Sequence, residues 1–280
     1  MDTTYTYDEL KSALREMRKN SPDVVNTCYY FPGELKEKIN SGIITYEIQN
    51  DAIVIYEHLG DFDSVMFCIN SDSKKLSTDD EKSKLADVIY SETNPVKEYA
   101  GRVLEESGFT FLCKAFHMTA SDFETADSFV LKNHITFATE DMAENIVDMW
   151  RKIFDPAEVY IHTVEEVREK ISNNQVVVSV DACGELMGAV TSDMDNTGNA
   201  MIRHVAVSEK ARGRGLGRDL CSFYIQQREK IGFDRATLWV EDYREAALNL
   251  YKKLGFKHTG KEMLRYVKKI KGGNNYGKNS

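Results

Sequence analysis

No apolar run in this 280-residue chain approaches the ~20 residues needed to cross a membrane. The opening MDTTYTYDEL lacks the basic and apolar segments of a secretion signal. Cys-x-x-Cys pairs are missing too. Cys28, Cys68, Cys113, Cys183 and Cys221 are scattered and odd in number, which reads as reduced, mostly buried thiols. Nor is there a basic surplus: the formal net charge of −9 argues against nucleic acid as a partner. The expectation is a cytoplasmic protein, monomer or homodimer, working without metal, membrane or nucleic acid. Its acidic balance leans toward cationic substrates. Hydrophobic residues make up 42% of the chain, enough for real cores, and the length suggests two domains.

Residues 201–217, MIRHVAVSEKARGRGLG, are the stretch around which the chain is organised. Val205-Ala206-Val207 reads as a buried strand. A polar turn, Ser208 to Ala211, leads into Arg212-Gly213-Arg214-Gly215-Leu216-Gly217. Arg218 to Ile231 has helical periodicity through Leu220, Phe223 and Tyr224. Glycines in such a turn let backbone N–H groups approach a ligand closely. The helix N-terminus behind them presents unpaired donors and a partial positive charge, which suits a phosphate. The turn is not a nucleotide P-loop, because no Gly-Lys-Ser/Thr follows, and it lacks the spacing of a dinucleotide-binding turn.

A second stretch, ATLWVEDYREAALNLYKKLGF over 236–256, reads as a strand from Ala236 to Val240 and a helix from Glu245 to Leu254 closed by Gly255. Arg212, Gly215 and Gly217 fit Arg/Gln-x-x-Gly-x-Gly/Ala, which resembles the acetyl-CoA pyrophosphate loop of the GNAT superfamily of N-acetyltransferases. Ala247, Tyr251, Gly255 and Phe256 resemble that family's second signature at the right distance. The resemblance covers roughly residues 133–270. One departure is Arg244, where the family often has Asn.

The rest of the second half reads as a strand at 134–138, helices at 140–153 and 164–172, and strands at 175–180 and 185–193, with a last strand at 263–268 and a polar tail. In the first half, helices are expected at 7–20 and 32–42, and a short strand near 24–30. Strands at 43–49, 52–58 and 64–69 form a meander. A polar loop over 70–84, a strand near 88–90, a helix at 94–106 and a strand at 110–117 complete it. The order repeats that of the second half. Gly108-Phe109 ends the helix as Gly255-Phe256 does, but Leu104 stands where Tyr251 stands, and no glycine loop follows Ile69. The expectation is an α/β (α+β) protein of two tandem GNAT-like domains, each a mixed, mostly antiparallel sheet flanked by helices. Residues 1–118 are a degenerate copy without a cofactor loop, 119–132 a linker, 133–270 the acetyl-CoA-binding domain and 271–280 a polar tail.

The resemblance implies acetyl transfer from acetyl-CoA to an amine by direct attack. It assigns the donor to the backbone of Val205, Ala206 and Val207 and to Arg212, Gly213, Arg214, Gly215, Leu216, Gly217 and Arg218. Tyr251 matches the tyrosine that serves the leaving thiolate. The base stays open among Glu241 and Asp242 at a strand end, His204 on the central strand, and a water; Glu241 is the candidate carried forward with Tyr251. The alternative class is a non-catalytic CoA-binding sensor or interaction module. The acceptor, a small molecule or a protein amine, is not fixed by these residues, because acceptor sites are built from variable loops.

Overall fold

The computed structural model describes residues 5–20, 24–60, 62–70, 73–79, 81–91, 96–121, 131–155, 159–194 and 199–269. Contacts divide the chain into two compact units: residues 1–115 with 261–280, and residues 116–260.

In the first unit, α1 (Tyr7–Asn20) turns Leu10 and Met17 inward. It starts at Thr6, whose Oγ1 accepts from the Glu9 N–H at 3.3 Å. A short β1 (Val24–Asn26) and α2 (Pro32–Asn40), with proline in its first turn, precede the meander β2 (Ile44–Ile48), β3 (Ala52–Leu59) and β4 (Phe62–Asn70). β5 (Ser83–Ser91), α3 (Val96–Glu106) and β6 (Thr110–Ser121) follow. Strand side chains alternate between faces. Val54, Tyr56, Val65 and Phe67 pack with Ala100, Val103 and Leu104 of α3. Ile53, Ile55, Met66 and Cys68 pack with Leu10, Met17, Leu35 and Ile39 from α1 and α2. Two covered faces explain why β3 and β4 are apolar nearly throughout.

In the second unit, β7 (Thr136–Phe137) leads to α4 (Ala143–Ile153) and α5 (Val164–Ser172). A capping box holds the start of α5: Thr163 Oγ1 accepts from the Glu166 N–H while the Glu166 carboxylate accepts from the Thr163 N–H. Then come β8 (Val176–Val180), β9 (Leu186–Met194), β10 (Ala200–Val207), α6 (Leu216–Lys230), β11 (Arg235–Glu241), α7 (Glu245–Lys253) and β12 (Lys257–Lys268). The sheet order is β7-β8-β9-β10-β11, antiparallel except for the parallel pair β10 and β11. One face is covered by α4 and α5 through Ile146, Val147, Trp150 and Val167. The other is covered by α6 and α7 through Leu216, Leu220, Tyr224, Tyr251 and Leu254.

Three elements run longer than their sequences suggest. β5 begins at Ser83, well before the apolar Val88–Tyr90. Its charges sit inside the strand because each is paired: the fully buried Lys84 with Asp79 at 2.8 Å and Asp63 at 3.5 Å, and Asp87 with Arg265 at 2.8 Å. β12 begins at Lys257 and, from Lys261, pairs antiparallel with β5, so residues 261–280 group with the first unit and not with the second half. β6 continues to Ser121, taking in the start of the expected linker, whose residues 122–130 lie outside the described ones, as do 271–280. β1, by contrast, is shorter than expected, ending at Asn26. Cys68, Cys113 and Cys221 are buried and Cys28 partly so, while Cys183 is exposed.

Candidate functional site

The parallel pair β10 and β11 pairs only over Ala200–Ile202 and Ala236–Leu238. Beyond that, among the described residues, Arg203–Val207 and Trp239–Glu241 have no ladder between them. On its other edge β10 stays bonded to β9 through Val205–Val207. The backbone of 203–207 therefore offers peptide groups along one open edge, and such groups need partners. A bulge between Ile202 and Val205 sets which side chains go where. Simple alternation would place Met201, Arg203, Val205 and Val207 together. With the extra residue, Ile202 and Val205 both lie with the core under α6 and α7, and His204 turns toward α4.

The open edge leads into the glycine loop. Gly213 and Gly215 have φ of 75° and 78°, conformations that favour glycine, and a Cβ at either would meet nothing within 4 Å. Both are exposed, so their peptides face space a ligand could fill. Gly215 is the N-cap of α6 and no side chain caps that helix. The first N–H groups of a helix lack intrahelical partners, and here they point from a loop that also carries Arg212, Arg214 and Arg218. Arg212 and Arg214 are exposed; Arg218 is half-buried and bonds the Asp219 carboxylate at 2.8 Å. Ser208, just before the loop, has a buried hydroxyl without a partner. Burial without a partner is costly, so this atom fits a site completed by a ligand. Asp219 latches the helix in place: one carboxylate oxygen accepts from Lys132 N–H, Asn133 N–H and Asn133 Nδ2 at 2.8–3.0 Å.

Tyr251 lies on α7, buried with Leu216, Leu220 and Cys221. Burial pushes its phenol well above the ordinary value, with Cys221 and Glu241 adding to the effect, so the phenol keeps its proton. Tyr251 and Glu241 are thus brought into electrostatic reach of each other. Arg244 Nε lies 2.8 Å from Glu241 Oε2. Asp242 is exposed.

His204 is a structural residue. It stacks on Trp150 at 4.7 Å, its Nε2–H donates to the Tyr160 carbonyl at 2.8 Å, and Nδ1 lies 3.1 Å from Thr191 Oγ1. Burial and neighbouring His162 push its pKa down to about 4. Both nitrogens are engaged, so His204 is neutral and has no free lone pair for a substrate.

The first unit has a matching parallel pair. β4 and β5 pair over Phe62–Ser64 and Ser83–Leu85, again three residues. There the remaining edge of β4 is occupied: β3 takes one side throughout, and β1 pairs with Cys68–Asn70 on the other. Thr27 extends this strap, its N–H donating to the Phe67 carbonyl at 2.9 Å and its Oγ1 accepting from the Phe67 N–H at 2.8 Å. Among the described residues no helix lies between β4 and β5. Instead Leu76 is buried against Val65, Phe67, Val88 and Leu104. Helices α3 and α7 end alike, on Gly108 (φ 87°) and Gly255 (φ 84°), with Phe109 N–H donating to Leu104 and Phe256 N–H to Tyr251, each at 3.0 Å. Leu104 and Tyr251 occupy the same place in the same cap. The strand at 24–26 was legible as an apolar run, but its place on the edge of β4, the bulge in β10 and the orphaned Ser208 hydroxyl had no signal in the sequence pattern.

Comparison with known proteins agrees with this geometry. Residues 140–256 match the sequence model of the acetyltransferase (GNAT) family. N-acetyltransferase family 8 member 3 of Rattus norvegicus is 33% identical over 70 residues, 25% of this chain and 31% of that protein. An uncharacterized N-acetyltransferase of Methanocaldococcus jannaschii is 36% identical over 95 residues, 31% of this chain and 42% of that protein. The matches thus span less than half of either relative. The crystal structure of a GCN5-related N-acetyltransferase from Sphaerobacter thermophilus superposes with a TM-score of 0.60 at 13% identity, covering 95% of this chain and 93% of that one.

Proposed function

We propose that the unit containing residues 140–256, which match the acetyltransferase (GNAT) family, moves an acetyl group from acetyl-CoA to a primary amine by direct attack. The observation that carries this reading is the open edge of β10 running into an uncapped, glycine-turned helix N-terminus. The peptides of Val205, Ala206 and Val207 suit the amide groups of a pantetheine arm. Arg212 to Arg218 supply backbone donors and positive charge for a pyrophosphate. The orphaned Ser208 hydroxyl fits a polar ligand at the same place. Attack by the neutral amine forms the C–N bond and breaks the C–S bond. The surplus ammonium proton leaves toward Glu241 through water, and the thiolate takes a proton from the Tyr251 phenol. Glu241, held by Arg244, acts at a distance and Tyr251 at the sulfur. The net charge of −9 favours a cationic acceptor.

We further read the first half as a degenerate copy of the same fold. The repeated three-residue parallel pairing and the repeated helix cap support this. β1 on the edge of β4 and Leu76 buried against that strand support reading this copy as one that takes no donor. The test is release of free thiol from acetyl-CoA across a panel of amines, with calorimetry for binding. One donor site per chain and turnover with at least one amine are expected. Gly215→Asp, which places a carboxylate at the pyrophosphate site, should abolish binding in a folded protein. Two sites per chain, or unchanged binding by that variant, overturns the assignment; binding without turnover favours a sensor.

A further inference from the structure

The first unit holds a cavity of about 310 Å³ lined by α1, α2, β3 and the segment after β1. Its floor is apolar, with Leu14, Leu35 and Ile55, and the rings of Tyr7 and Tyr30 stand at its sides. Its rim is cationic. Lys11, Arg15 and Arg18 all line it from α1, spaced four and three residues apart, so they share one face of the helix. All three are exposed, and none has a carboxylate within 4 Å among the described residues. Like charges at this spacing destabilise a helix. Such a row in a chain of net charge −9 calls for a counter-charge. Glu57, which acts on the lining residue Cys28 as Glu34 does, is already engaged: Lys38 lies at 2.8 Å and the Tyr30 hydroxyl donates to it at 2.6 Å. The cavity therefore presents an apolar, aromatic interior under three cations that have no carboxylate partner among the described residues, with Lys11 Nζ 5.8 Å from the centre of the Tyr7 ring.

We propose that this cavity is a second ligand site, separate from the acetyl-CoA site, for a small organic anion with an apolar body: an aryl or short-chain carboxylate. The volume is at the low end for ligand pockets, which run from about 300 Å³ upward, so the body is no larger than a ring or a few methylenes. Guanidinium forks match a carboxylate with two parallel donors, and Arg15 and Arg18 provide two such forks on adjacent turns. The carboxylate sits at the rim between them, and the apolar body lies on Leu14, Leu35 and Ile55.

Calorimetry on the full chain with phenylacetate as probe tests this. Phenylacetate is expected to bind once per chain, and the neutral benzyl alcohol at least about tenfold more weakly, because each charge-assisted bond is lost. Arg15→Gln with Arg18→Gln, both on the exposed rim, should weaken phenylacetate about tenfold and leave the thermal midpoint without ligand nearly unchanged. Gly215→Asp should bind phenylacetate as the wild type does, which separates this site from the acetyl-CoA reading. Equal binding of the neutral and anionic probes, unchanged binding by the double variant, or no phenylacetate binding at millimolar concentration overturns the proposal.

Discussion

Tyr251 owes its position to the way helix α7 ends. Gly255 in the left-handed conformation reverses the chain, Phe256 bonds back to the Tyr251 carbonyl, and the two rings meet edge to face at 5.8 Å. The phenol is thereby fixed in a buried place with its proton retained. A retained proton is what a leaving thiolate requires. Tyr251→Phe keeps the ring and its packing and removes only that proton. Acetyl-CoA affinity should stay within a few-fold, and turnover should fall by roughly 10²-fold, the lower range for general acid catalysis. Steady-state kinetics with binding measured separately decides the matter. Turnover equal to the wild type would assign protonation of the sulfur to water.

At the scale of elements, much was legible because pattern follows burial. The glycine loop, the helix behind it and the Gly-Phe cap could be read directly, since each needs particular residues at particular spacings. The bulge in β10 could not, because Arg203 and His204 look like ordinary strand residues and only the pairing with β9 reveals the extra one. The length of β5 was hidden by Lys84 and Asp87, whose partners lie elsewhere in the chain. The packing of α4, α5 and β10 shows the same dependence on distant partners. His204 stacks on Trp150 of α4, and His162, before α5, sits 5.1 Å from His204 between ring centroids. Burial lowers both pKa values from 6.5 to about 4, helped by Lys170 for His162 and by His162 for His204. A lowered histidine pKa stabilises the fold fully above the unfolded value, and that stabilisation is lost as pH falls toward the folded value. The loss should begin near pH 6.5 and continue to about pH 4. The carboxylates of Glu166 and Asp193, whose pKa values are lowered, hold their contribution until lower pH. The urea midpoint should therefore correspond to a stability lower by up to roughly 2 kcal/mol at pH 5.5 than at pH 7. His204→Gln should flatten that slope. A midpoint independent of pH across this range would mean that the two rings are not buried neutral.

For the molecule as a whole, the division into halves suggested by sequence order is not the division that the contacts make. The second unit begins at Phe116, inside β6, and Met118 and Ala120 belong to its core with Val240 and Leu254. The first unit includes residues from Lys261 onward, whose strand pairs residue for residue with Ser91 back to Lys84. A cut at the expected linker thus takes core residues from the second unit and leaves the first without a sheet strand. Losing Met118 alone, a residue 2% exposed, should cost about 2–5 kcal/mol, a large part of a typical domain's stability. Removing residues 261–268 leaves Val88 and Tyr90 on a bare strand edge, which invites aggregation. Expressed separately, residues 120–280 and residues 1–118 should each fail to give a cooperative unfolding transition, and neither should bind acetyl-CoA. The measurement is circular dichroism with urea, paired with calorimetry. A cooperative 120–280 fragment that binds acetyl-CoA as the whole chain does would restore the simple tandem division, with the strand at 257–268 belonging to the second half alone.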